Sequence, residues 1–241
     1  MKKSAIALMP AIVAASCLLG TSASALPQGW FDMGGVVHDI SSTSWVEMGD
    51  GTWVTNFDYA DPQLVLHGHA VVLSDPGIVY GIAIQNHTGS PMNFTFDYTN
   101  TFATGIAGPN AVFGSFSGSG TDATGDGYRI TPTGTKIQVT DLNGFNAGVD
   151  VGDGFTFGPG FPGTSYALGY FNKGPQSGPV ATTSWTQLHT RVSFTLTGNE
   201  DVATLNGAAA ISAERPVPEP ASALLLAPGL VGLYLWRRRR S

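Results

Sequence analysis

One cysteine, Cys17, stands in a chain of 241 residues, and it falls in a leader-like segment. Once that segment is removed, disulfides and thiolate chemistry are excluded even in an oxidising compartment. Basic residues are nearly as scarce. Of the eleven Lys and Arg, six sit at the two ends of the chain, which leaves Arg129, Lys136, Lys173, Arg191 and Arg215 between Leu26 and Pro216. Sixteen acidic residues share that stretch, for a net charge of about −11. Clustered Lys and Arg, on which phosphate backbones depend, are missing, so no nucleic acid is expected as a partner. A helical period is also missing between the two ends. Instead 32 Gly and 15 Pro, with many Thr, Ser and Asn, punctuate short runs of Val, Ile, Phe and Tyr, the composition of strands and turns.

The first 25 residues read as a signal peptide. Lys2-Lys3 is a basic start, Ala5 to Leu19 an apolar run, and Ala23-Ser24-Ala25 the small-residue pattern after which signal peptidase cuts. Ala14-Ala15-Ser16-Cys17 makes only a loose lipobox, because the usual leucine three residues before the cysteine is absent. Cleavage after Ala25 is therefore the expectation, with Ala23 and Ala25 as the recognition positions.

The other end has three parts. Val217-Pro218-Glu219-Pro220 comes first, Ala221 to Trp236 follows without a charge, and Arg237-Arg238-Arg239-Arg240 precedes Ser241. As a helix, the uncharged part rises about 24 Å, less than the roughly 30 Å of a hydrocarbon core, so it predicts a thin, removable anchor. Pro228-Gly229 is tolerable in such a helix, and Tyr234 and Trp236 suit the interface. The four arginines resist translocation and act as the stop, which puts the cargo on the periplasmic side of an inner membrane. Pro218 and Pro220 keep Glu219 extended, as a protease that reads a strand-like segment requires.

This tail resembles the PEP-CTERM sorting signal of Gram-negative bacteria, in which a Pro-Glu-Pro motif precedes a short span and a basic cluster. The resemblance implies a second processing partner, exosortase, a membrane cysteine protease that cuts near the motif and releases the protein or passes it to another acceptor. Cargo segments are also similar to a recurrent cargo type of such proteins: Tyr80 to Asn86 with Thr88 to Pro91, Gly118 to Asp122 leading into Gly125-Asp126-Gly127, and Phe194 to Gly198. That cargo type implies no activity.

Three segments follow: signal peptide 1–25, cargo 26–216, and sorting signal 217–241 with its span at 221–236 and basic tail at 237–240. The 191 cargo residues suit one all-β domain. About ten short strands are expected, arranged as a two-sheet β-sandwich, immunoglobulin-like or jelly-roll. Leu26 to Ser44 shows no period and reads as a lead-in that tucks Trp30-Phe31 onto the core. Asp50-Gly51 predicts a hairpin between Trp45 to Glu47 and Thr52 to Phe57. Leu64 to Leu73, Ile78 to Gln85 and the alternating Met92 to Thr99 read as strands, then Ala111 to Ser117, Tyr128 to Ile130, Ile137 to Val139 and Phe155 to Phe157. Ser117 to Gly127, Gly158 to Gly163 and Gly174 to Pro179 read as loops. Trp185 to Thr197 is a long strand with Val192, Phe194 and Leu196 inward, and Val202 to Ser212 is expected to pair with it across Gly198-Asn199.

Candidates for chemistry are thin. Gly158-Pro159-Gly160-Phe161-Pro162-Gly163 spells G-x-G-x-x-G, but its prolines remove amides and no helix follows. Gly163-Thr164-Ser165-Tyr166-Ala167 misses the nucleophile elbow at its last position. His67 and His69 share a strand face, as metal ligands do, with no Glu at a suitable distance. Asp122 with Asp126, and Asp150 with Asp153, supply the oxygens that Ca²⁺ takes, although turn roles account for all four. Sugar-stacking aromatics are sought among Trp30, Trp45, Trp53, Tyr166 and Trp185. The expectation is a non-enzymatic cell-surface or extracellular-matrix protein without a catalytic residue or a bound metal. The alternative is a secreted carbohydrate-binding module, in some forms Ca²⁺-dependent, with an extracellular polysaccharide as partner.

Overall fold

The computed structural model describes residues 26–40, 45–107, 109–177 and 184–213. Among the described residues there are fifteen strands and no helix. All strand pairs are antiparallel and fall into two sheets. One sheet, here sheet A, runs in the order β11(Phe145–Asn146), β10(Gln138–Leu142), β14(Trp185–Leu196), β7(Met92–Ile106), β1(Gln28–Met33), β2(Val36–Asp39), with β9(Tyr128–Pro132) also on β14 and β12(Phe155–Phe157) on β9. Sheet B runs β13(Thr164–Ser177), β8(Asn110–Asp122), β15(Asp201–Ala213), β6(Gly77–Asn86), β5(Leu64–Leu73), β4(Trp53–Asp61), β3(Val46–Glu47).

Alternation decides which face each strand buries. Phe94, Phe96 and Tyr98 of β7 and Val192, Phe194 and Leu196 of β14 are wholly buried, as their two-residue period predicts. Ile78, Tyr80, Ile82 and Ile84 of β6 meet them from sheet B. Tyr80 stacks on Tyr98 with centroids 5.6 Å apart, and Phe31 on Phe57 at 5.5 Å. Polar bolts cross the core as well. The Tyr80 hydroxyl donates to Gln138 Oε1 at 2.6 Å, while Gln138 Nε2 donates to the Ala208 carbonyl at 3.0 Å. Tyr80 and Gln138 thereby find their partners in the opposite sheet, which helps fix how the sheets align.

The Asp50-Gly51 hairpin forms, and Asp50 accepts from the Thr52 amide. Four expectations are corrected. The lead-in is a strand pair, β1 with β2, whose alternation buries Phe31 and turns Trp30 outward, away from the core. Gly118 to Asp122 continues β8 as strand, because its glycines lie under core side chains; a Cβ on Gly120 would sit 2.1 Å from Tyr128 Cζ. β13 continues through Gly174 to Ser177, where a loop is expected.

Most consequential, β15 does not pair with β14. It lies between β8 and β6 in the other sheet. Asn199 and Glu200 take positive φ, at 60° and 70°, and their amides bond the Thr88 and Asn86 carbonyls. Those bonds swing the chain across the core, where a hairpin would have turned it back.

Candidate functional site

The sorting positions Val217, Pro218, Glu219 and Pro220, the arginines Arg237 to Arg240 and the leader positions Ala23 and Ala25 all lie outside the described residues. The described part ends at Ala213, the last residue of β15.

Within the described part, the outer face of sheet A gathers the most chemistry. Register places Asp39, Trp30, Asp97, Arg191 and Val139 in one row across β2, β1, β7, β14 and β10. The neighbouring row runs Gln28, Thr99, His189, Asp141. His189 binds Asp97 Oδ1 through Nε2 at 2.7 Å and Asp141 Oδ2 through Nδ1 at 3.4 Å. The Arg191 Nε donates to Asp97 Oδ2 at 3.1 Å. Asp97 is buried, so its charge is balanced by two cations at once. Burial works against a charged His189, but the hydrogen bonds it donates to Asp141 and Asp97 outweigh it and push the imidazole up to about 9. On the far side, Thr95 and Thr133 each bond the Ser193 hydroxyl, and Lys136 pairs with Asp153.

Trp30 is the sequence-nominated aromatic that this face presents to solvent. It stands where two hollows adjoin, one of about 500 Å³ that also touches Arg191 and Asp141, and one of about 550 Å³ beside Val37 and Asp39. A third, of about 690 Å³, shares Thr95 and Thr133 with the first. The other nominated rings are committed to packing. Trp45 and Trp185 are buried, Trp53 packs against the core, and Tyr166 stacks on Phe157 at 4.1 Å.

His67 and His69 do share the outer face of sheet B, in a shallow hollow with Asn56, Asp58 and Asn206. His67 Nδ1 is 2.6 Å from Asp58 Oδ1, and the His69 ring lies over Gly81, where a Cβ would come within 2.2 Å. The remaining histidines are elsewhere: His38 stacks on Phe31, His87 pairs with Glu200, and His189 belongs to sheet A. Ser165 lies in β13 beside Thr121, not at a strand-to-helix turn. The Gly158 to Gly163 loop docks on Gly125 and leads into β13.

Asp122 and Asp126, joined by Asp201, place carboxylate oxygens within 4.8 Å of one another, the sort of group that could hold a hard cation. Every oxygen there already has an internal donor. Asp122 accepts from the Gly125 and Gly127 amides, Asp126 from Thr124 and Asn199, and Asp201 from the Ala123 amide and the Thr197 hydroxyl. Burial, ahead of the opposing hydrogen bonds and aided by the two neighbouring carboxylates, raises the Asp201 pKa. Asp150 bonds the Thr140 amide and the Asn146 side chain, separately from Asp153.

A family model for the PEP-CTERM protein-sorting motif matches residues 216–240. The chain therefore carries that motif at its C-terminal end. No curated protein matches the chain in sequence. Among solved structures, TmCBM61 in complex with beta-1,4-galactotriose is similar at 11% identity, over 68% of this chain and 88% of that one, with a TM-score of 0.29. At that score the likeness transfers nothing to this chain.

Proposed function

We propose that this chain is an exported, non-enzymatic protein of the cell surface or extracellular matrix, sorted and processed by exosortase. In this reading signal peptide 1–25 delivers a β-sandwich cargo, 26–216, to the periplasmic side. Residues 221–236 hold it in the inner membrane, with Arg237 to Arg240 as the cytoplasmic stop, until exosortase acts at Val217-Pro218-Glu219-Pro220. The observation that carries the proposal is the sorting-motif match over 216–240. The non-enzymatic part draws support from the described side chains, since His67, His87 and His189 are hydrogen-bonded to carboxylates at three separate places and the acidic cluster is capped from within.

Fractionation followed by mass spectrometry of the termini tests it. Surface or extracellular material should lack residues 1–25 and the basic tail. Surface material that keeps Arg237 to Arg240 intact would overturn the reading.

A further inference from the structure

We propose that the outer face of sheet A binds a neutral polysaccharide, one pyranose ring stacked on Trp30 and hydroxyls of the adjoining rings held by Arg191 and Asp141. This goes beyond the export reading and stands without it, because binding is read on the purified chain.

Four observations converge. Trp30 is only half-buried, whereas Trp45, Trp53 and Trp185 pack into or against the core, and it lines two adjoining hollows. An exposed aromatic face with polar groups beside it suits a sugar, whose ring presents C–H groups on one side and hydroxyls at its rim. Arg191 is the second. Its Nε is tied to Asp97, which His189 holds in turn, while its terminal amino groups have no hydrogen-bond partner among the described residues. The guanidinium fork is thus oriented in advance and still free to donate, so little ordering cost remains for a ligand.

Spacing is the third. Trp30 and Arg191 occupy the same cross-strand row with Asp97 between them, which sets them roughly 10 Å apart at two strand spacings. That is the reach of a disaccharide unit. The hollows also continue along the strands through Thr95 and Thr133, so the face accommodates a chain and not a single sugar.

Charge is the fourth, and it chooses the class. The cations beside these hollows are matched on the protein itself, His189 and Arg191 with Asp97 and Asp141, and Lys136 with Asp153, while Asp32 and Asp39 add further negative charge. The cargo as a whole is strongly acidic. A polyanion would meet net repulsion and no spare cation, whereas hydroxyls use both the free donors of Arg191 and the acceptors of Asp141.

The test is retention of the full-length chain, purified in detergent, on immobilised glucan, galactan, mannan and polyuronate, with affinities by calorimetry. At least one neutral polysaccharide should bind. Trp30→Ala and Arg191→Ala should each weaken it about tenfold or more, while Trp30→Phe keeps most of the affinity and His67→Ala, on the opposite sheet, changes nothing. Thermal melts report whether each variant is folded, and Trp30→Phe with Arg191→Gln decide the matter if Trp30→Ala is not. Flat signals for every neutral polymer, binding to polyuronate alone, or wild-type affinity in folded Trp30→Ala would overturn the proposal.

Discussion

His189 reaches across from β14 to Asp97 on β7, Nε2 to Oδ1, at 2.7 Å, and the same imidazole faces Asp141 on β10. Both ring nitrogens therefore donate when the ring is protonated, and the folded-state pKa stands near 9, above the 6.5 of a free histidine. A raised pKa stabilises the fold fully below about 6.5, and that contribution disappears as pH rises through about 9. The difference corresponds to about 3 kcal/mol as an upper figure. Urea denaturation between pH 6 and pH 10 should show stability falling across pH 7 to 9.5, and His189→Gln should flatten that fall. A proton-NMR midpoint near 6.5 for His189 would contradict this account.

The two buried carboxylates of the acidic cluster should respond differently to neutralisation. Asp122 caps two backbone amides with its two oxygens, so Asp122→Asn sets an amide donor against a donor and should cost about 1–3 kcal/mol. Asp201 accepts one amide and one hydroxyl, and a hydroxyl can accept in return. Asp201→Asn also relieves a carboxylate whose ionisation burial and two like charges oppose. It should be within roughly 1 kcal/mol of the parent at pH 7. Because a raised acid pKa makes ionisation work against the fold, the parent should gain on Asp201→Asn as pH falls toward that pKa. Paired denaturation curves at pH 5 and pH 7 check both statements.

Sheet B has bare patches where aromatic rings from the core come to rest. A Cβ on Gly120 would lie 2.1 Å from Tyr128 Cζ, and one on Gly207 would lie 2.2 Å from the Tyr80 hydroxyl. Gly120→Ala and Gly207→Ala should each destabilise by about 1–3 kcal/mol through overpacking. Gly134, whose Cβ would meet nothing within 4 Å, is the control, and its alanine variant should stay within about 0.5 kcal/mol. Equal melting temperatures for all three would count against the packing argument.

The proposed processing makes a prediction about size. Glu219→Gln should leave the chain with its basic tail, in the membrane fraction, because the motif would no longer present its carboxylate. Immunoblots of fractions against the parent measure it, and unchanged shortening of the variant would remove Glu219 from the mechanism.

Strands with a strict two-residue period were legible in the sequence. Met92 to Thr99 and Arg191 to Leu196 disclose their buried faces because one side is apolar or aromatic and the other polar or charged. Glycine-rich strands were not legible. Gly118 to Asp122 reads as loop by composition, and its strand character depends on Tyr128 and Leu205, which are distant in sequence. The same limit hid the sheet A face. Trp30, Asp97, Arg191 and Asp141 are spread over more than a hundred residues, and only the registers of β1, β7, β14 and β10 bring them into adjoining rows. The Gly198-Asn199 turn looks like a hairpin until the Thr88 and Asn86 carbonyls are seen to redirect it.

β15, the strand from which the chain leaves toward the sorting motif, is an interior strand, bonded to β8 on one side and β6 on the other along nearly its whole length. Tension along that strand would load both ladders of hydrogen bonds together, in shear, where an edge strand has only one ladder to share it. Under the proposed anchoring, the domain would therefore be held by a strand paired on both sides, and should resist traction better than if it were held by an edge strand.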